Sequence, residues 1–421
     1  MIAEFKSTAS APEVVDPYSV PIEQIDVSDP RLSEDEKWKL YFKRLREEAP
    51  VHYIKDSPYG PFWSVTKYQD LMDVEAQPEI FSSSWKYGGI TILDMQDLNV
   101  KFQMFIAMDE PEHSQQRLTV APAVGPQELR KHATLIRERT SGLLDSLPEN
   151  EPFDWVEKVS KELTTRMLAT LFDFPWEDRN LLPLWSDWVT AVDAGADPKL
   201  NAEREKNLFE MAAYFKKLFD ERKSAPPKND LLSIMAHSEH LADMDEENFL
   251  GNIALLVAGG SDTTRNSMTG FVQQINKFPE EWEKIKADHS LIPTAVTETI
   301  RLQSPLAHQR RTVVQDVEFK GQKMRKGDKV VIWHRSANRD EEVFPDADKF
   351  DVNRANSRRH LAFGYGIHRC LGSRLGELQL TILIEEILKR KMEIKKVAPP
   401  ERVLSCFADG YHHQMVTITK G

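Results

Sequence analysis

Cysteine is almost missing from this sequence: 421 residues hold two, Cys370 and Cys406. Two thiols make no disulfide framework, and their scarcity fits a reducing compartment. An excess of positive charge is missing as well. Lys and Arg number 55 against 67 Asp and Glu, a net charge of −12. That balance argues against a nucleic-acid binder and for a soluble, acidic protein of the cytoplasm. Long apolar runs do not occur: residues 253–260, the longest in the middle of the chain, are far too few to span a bilayer. Residues 1–16 mix Glu4, Lys6, Glu13 and Asp16 with short apolar side chains, which is neither a signal peptide nor a membrane anchor. Repeats, low-complexity tracts and a linker dividing the chain are all lacking.

What is present reads as mostly helix. The first 35 residues, rich in Pro, Asp and Ser, read as an extended arm laid over a domain. Trp38, Tyr41, Phe42 and Leu45 then fall at helical spacing. Residues 51–53 and 62–65 flank a Ser-Pro-Tyr-Gly turn, which predicts two short strands. From about 128 to 388 the pattern is of long amphipathic helices, and strand-like pieces return at 313–319, 329–333 and 414–419. The predicted class is mainly α with a minor sheet component.

The strongest chemical signal is residues 363–372, Phe-Gly-Tyr-Gly-Ile-His-Arg-Cys-Leu-Gly. Gly364 and Gly366 permit a tight turn with positive φ. Leu375, Leu378, Ile382 and Ile384 place a helix directly after Cys370. A thiol at a helix N-terminus is expected to have a lowered pKa. Alone, such a cysteine is more often a small buried residue, and His360, His368 and Cys370 leave a zinc site conceivable.

A second signal lies in residues 248–272, one predicted helix whose centre reads Ala-Gly-Gly-Ser-Asp-Thr-Thr from Ala258. Two adjacent glycines cost roughly 2 kcal/mol of helix stability against alanine. Either small residues serve close helix packing, or the backbone bends and comes near something flat. Thr263, one turn after Gly259, has a hydroxyl that reaches the Gly259 carbonyl.

The ten-residue run matches F-G-x-G-x-H-x-C-x-G at every fixed position, and from about Pro21 onward the chain resembles the cytochromes P450. The resemblance implies the cytochrome P450 fold, a large helical domain with a smaller β-sheet region, as one haem domain over 36–421 behind the arm of 1–35. It implies haem b as cofactor with the Cys370 thiolate on iron, Phe363 beside it, and O2 as co-substrate. His113 and Arg117 (in Asp109, Pro111, His113, Arg117), Arg311 and His368 become propionate partners. Glu298 and Arg301, which alone read as an exposed ion pair worth a few tenths of a kcal/mol, become a buried network with Arg354, near Phe350. Thr263 becomes the hydrogen-bonding alcohol of an oxygen groove and Asp262 the acid relaying protons to it.

Residues 49–53, 60–65, 251–268 and 360–390 are similar to the soluble bacterial alkane hydroxylases, family 153. Those oxidise medium-chain alkanes and fatty acids at the terminal (omega) carbon. The alternative is a terpene or other small hydrophobic molecule. Expected pocket residues are 90–93, Leu255, Leu256, Gly259, Leu306, Ala307 and Phe407, apolar as a linear substrate requires. Electrons are expected from NAD(P)H through a separate ferredoxin and its reductase, with Arg358, Arg359, Arg369 and Arg374 as a docking group. Two competing readings are a peroxide-using or isomerising haem-thiolate enzyme and a haem gas sensor. Asp262 with Thr263 argues against the first, and the lack of a signalling segment against the second.

Overall fold

A computed structural model describes residues 14–98, 101–192 and 197–421. Helix α1 (Trp38–Glu48) buries Trp38, Tyr41, Phe42 and Leu45, the set its spacing predicts. Over it lie residues 14–35. They run in three 3-10 turns, not fully extended, because Asp16 and Asp29 accept backbone N–H groups and start two of them. Ile25, Val27 and Leu32 are buried there against α1.

Strands β1 (Val51–Ile54) and β2 (Phe62–Val65) form the predicted hairpin, followed by α2 (Tyr68–Glu75) and β3 (Phe81–Ser82). The helical body comprises α3 (Glu112–Val120), α4 (Pro126–Asp145), then α5 (Glu162–Leu171) after β4 (Phe153–Asp154). It continues through α6 (Leu181–Thr190), α7 (Pro198–Lys223), α8 (Leu231–Ala236) and α9 (Glu246–Lys277). Asp245 caps α9 by accepting the Asn248 N–H at 2.8 Å, Glu246 and Glu247 occupy its first turn and Lys277 its last. Both charge placements favour the helix dipole. Pro279 then opens α10 (Pro279–Ala287), and α11 (Ile292–Gln303) follows.

Strands β5 (Gln309–Val313), β6 (Val317–Phe319), β7 (Gln322–Met324) and β8 (Lys329–Ile332) lead into α12 (His334–Ala337). The chain closes with α13 (Ser373–Lys389), β9 (Glu393–Lys396), β10 (Glu401–Arg402), β11 (Tyr411–His413) and β12 (Met415–Thr419). The main sheet has the order β1-β2-β8-β5-β3. The β1–β2 hairpin joins it through a parallel pairing, Trp63 opposite Val330. In β5, Gln309 and Arg311 share one face and Arg310 and Thr312 the other. Apolar side chains of α5 to α9 and α13 build one core, and those of α4, α9, α11 and α13 a second.

Candidate active site

The cysteine loop is shaped by its glycines. Gly364 and Gly366 have φ of +69° and +64°. A Cβ on Gly366 would stand 2.6 Å from the Glu75 carbonyl oxygen, so glycine is required there twice over. The Cys370 N–H donates to the Phe363 carbonyl at 2.7 Å and closes the loop. Helix α13 starts at Ser373 behind Gly372, and the N–H groups of both residues reach the sulfur. The expected lowering of the thiol pKa does not follow. Burial is the larger effect and pushes Cys370 up, against the Gly372 and Ser373 N–H groups and the charges of Arg117 and Arg369. A metal cation held by Cys370 would supply the charge that favours the thiolate.

Cys370 opens into a cavity whose walls also include Phe363, Gly364, His368, Leu371 and Leu375. From α9 come Leu255, Leu256, Gly259, Gly260, Thr263, Thr264 and Ser267. The Thr263 hydroxyl donates to the Gly259 carbonyl at 3.0 Å, the bond its spacing predicts. The two glycines do different things. A Cβ on Gly259 would meet nothing within 4 Å, whereas one on Gly260 would come within 2.8 Å of Leu168 Cδ2 on α5.

Asp262 is not brought to the cavity with Thr263. Adjacent residues on a helix point about 100° apart, and the Asp262 side chain is buried away from the lining. Its Oδ1 accepts from Arg265 and its Oδ2 from Asn266 Nδ2 at 3.2 Å. Arg265 in turn donates to Asp187 on α6 at 2.8 Å. Burial pushes the Asp262 carboxyl up; Arg265 opposes that and Asp187 adds to it.

One flank of the cavity is polar. The His113 ring packs edge-on against His368, centroids 4.3 Å apart, and Arg117 and His334 reach the lining. His113 Nε2 and both ring nitrogens of His368 and of His334 are buried without a hydrogen-bond partner. Burial pushes His368 down to about 2 and His334 to about 3, the charge of Arg311 adding to both. Orphaned buried nitrogens are costly and call for an acceptor. Beside Arg117 on the wall, with Arg311 buried behind it and outside the lining, they fit a flat cofactor with carboxylates on one edge, as haem has. Arg311 itself donates to Glu75 Oε1 and Gln309 Oε1, both at 3.1 Å.

Behind the loop, Glu298 and Arg301 have fully buried side chains 2.6 Å apart, and Arg354 Nε donates to Glu298 Oε2 at 2.9 Å. Phe350 is packed into the adjoining core. The cluster is the buried network the resemblance implies, not an exposed pair.

Of the expected substrate-pocket residues, Leu255, Leu256, Gly259 and Leu306 line the cavity and Ala307 and Phe407 do not. Alternation along the chain turns Ala307 away from the cavity into full burial, its N–H donating to the Phe407 carbonyl at 2.8 Å, and the Phe407 ring packs on His308. Residues 90–93 are also outside the lining; Ile92 is buried in the core around α1. Phe105, Ile106, Gln309 and His334 take their place. Phe105 and Ile106 stand in an apolar run just before the Asp109 to Arg117 segment, a signal available in the sequence; His334 and Gln309 carried none.

Comparison with known proteins agrees with this geometry. Residues 138–403 match the family model described as Cytochrome P450. The structure superposes on CYP153D17 from Sphingomonas sp. PAMC 26605 with a TM-score of 0.90 and 48% identity, covering 95% of this chain and 100% of that one. The linalool 8-monooxygenase of Pseudomonas putida is 33% identical over 408 residues, 94% of this chain and 99% of that protein. A methyl-branched lipid omega-hydroxylase of Mycobacterium bovis is 30% identical over 420 residues, 94% of this chain and 96% of that one. On a likeness that runs nearly the length of the chain, this protein belongs to the cytochrome P450 family and, within it, to family 153.

Proposed function

We propose that this monooxygenase hydroxylates the terminal carbon of medium-chain linear alkanes or fatty acids. The observation that carries the reading is the lining of the cavity: Leu255, Leu256, Leu306, Phe105 and Ile106 share its wall with Cys370 and Thr263 and make it largely apolar. The named activity of the omega-hydroxylase relative supports it. Haem held by Cys370 supplies the activation of O2 and the transfer of one oxygen atom to a C–H bond. His113, His368 and Arg117 would hold its carboxylate edge, with Arg311 buried behind the wall. Thr263 keeps a hydroxyl at the cavity wall with its proton directed to the Gly259 carbonyl, ready to be redirected to a nearer acceptor. Asp262, tied to Arg265, delivers protons from the α6 side once that pair opens. The apolar wall excludes bulk water. Electrons come from NAD(P)H by way of a ferredoxin and its reductase, docking on exposed Arg358, Arg359, Arg369 and Arg374. No described helix is long and apolar enough to cross a membrane.

A second reading, terminal oxidation of a small terpene alcohol, is favoured by the named activity of the linalool relative. Turnover across linear substrates of graded length, with one terpene alcohol, separates the two. Each methylene buried is worth about 0.8 kcal/mol, so affinity should climb about fourfold per carbon until the pocket is full. Well-coupled oxidation of the terpene with linear chains untouched would overturn the first reading.

A further inference from the structure

Glu75 ends α2, and no role in the chemistry above falls to it. Its side chain is 1% exposed, an expensive place for a carboxylate. Its two oxygens are divided between two parts of the site. Oε2 accepts the backbone N–H of Tyr365 at 2.9 Å, and Oε1 accepts Arg311 Nη2 at 3.1 Å. The loop is moulded around this residue. A Cβ on Gly366 would meet the Glu75 carbonyl at 2.6 Å, and one on Gly364 would lie 3.5 Å from Oε1. Three consecutive residues of the cysteine loop, the flanking glycines in the left-handed region, therefore seat on Glu75.

The other end of the tether is equally enclosed. Arg311 is 2% exposed and donates also to Gln309 Oε1 and the Arg310 carbonyl. Gln309 and His334 reach the cavity wall from the same side, and the partnerless Nε2 of His334 lies 3.9 Å from Glu75 Oε2. Burial disfavours both charges, pushing Glu75 up to about 7 and Arg311 down. Each offsets part of the cost of burying the other's charge.

We infer that Glu75 is a positioning residue that locks the Cys370 loop to the buried Arg311, so that the thiolate and the strand that carries Gln309 to the cavity wall are held in one register. The inference rests on the haem assignment. A carboxylate bridging these two points would keep the loop that ligates the cofactor and the wall beside the cofactor's edge together. A hydrophobic residue on the same buried face of α2 packs the helix and restrains neither.

Holoprotein variants test this with two readouts other than turnover: transfer of haem to excess apomyoglobin, and the share of ferrous–CO complex showing the thiolate-ligated band. Glu75→Gln keeps shape and one acceptor but loses the charge; Glu75→Ala loses both. Transfer should quicken about threefold in Glu75→Gln and about tenfold or more in Glu75→Ala, with the thiolate-type band partly lost in Glu75→Ala. Arg311→Ala combined with Glu75→Ala should give less than the product of the single effects, as for groups acting as a unit. Glu386→Gln is the control, a carboxylate equally buried in a pairing with Arg137 and Arg390 remote from the loop; it should lower the melting temperature and leave both readouts unchanged. Wild-type transfer rate and band in both Glu75 variants would overturn the inference, as would an equal response of Glu386→Gln at matched stability. A wild-type protein that takes up no haem would instead overturn the cofactor assignment.

Discussion

His308 and His360 show what burial does to single side chains here. It pushes each down to about 3 from the ordinary 6.5. The neutral His308 ring is fully used: Nδ1 donates to the Cys406 carbonyl at 2.9 Å and Nε2 accepts the Ile92 N–H at 3.2 Å. The unfolded chain protonates both rings below about pH 6.5, while the fold refuses the protons until about pH 3. Their contribution is complete above pH 6.5 and is lost as pH falls, by about 1.4 kcal/mol per pH unit for each ring. The urea midpoint of the holoprotein should drop between about pH 7 and pH 5, and His308→Gln should flatten that slope; a level midpoint, or an unchanged slope in the variant, would contradict it. Single residues were legible in the sequence only where a motif fixed them. Cys370, Phe363 and His368 stand in one ten-residue run and line one cavity. Asp262 and Thr263 are neighbours in sequence, but helical geometry sends one to Arg265 and the other to the cavity. Glu75, His334 and Gln309 have no local pattern, because what makes them matter is burial beside segments distant in sequence.

Helix α9 carries its purpose in glycines that look alike in sequence. A Cβ on Gly251 would lie 2.8 Å from the Met104 backbone nitrogen and 2.9 Å from the Gln103 carbonyl carbon. That segment cannot easily yield, since Asn252 Oδ1 accepts the Phe105 N–H at 2.9 Å and Asn252 Nδ2 donates to Gln116 on α3 at 2.8 Å. Gly251→Ala should thus lower the melting temperature and displace Phe105 and Ile106 from the cavity wall. A Cβ on Gly259 has no protein atom within 4 Å and gains up to about 1 kcal/mol of helix propensity; Gly259→Ala should melt closer to wild type than Gly251→Ala while narrowing the cavity. Thermal melts of the pair, with the substrate-induced Soret shift, decide the matter, and a Gly251→Ala protein as stable as Gly259→Ala would refute the close docking. Periodicity located α1, α9 and α13 because their apolar stripes are long, although α9 runs from Glu246 to Lys277 where the pattern suggested 248–272. The parallel pairing of β2 with β8 was not legible: the two lie more than 260 residues apart, and nothing local in either names the other.

At the scale of the whole molecule, mainly-α architecture was readable from composition and periodicity, but the particular fold was readable only through resemblance. The helices put the Thr263 hydroxyl on one wall of a cavity and Cys370 on another. Neither residue's sequence neighbours encode that meeting, since packing of α9 against α13 creates it. The Glu298–Arg301–Arg354 cluster is buried, and none of its three residues lines the cavity. This assembly, as proposed, takes one atom of O2 and places it on the end of a chain. Turnover of a medium-chain alkane under isotopically heavy O2, with a ferredoxin, its reductase and NADPH, tests this most directly. The expected product is a primary alcohol carrying one heavy oxygen atom, the other appearing in water, with no such product from Cys370→Ser. An unlabelled alcohol, a predominantly in-chain alcohol, or full activity in Cys370→Ser would contradict it.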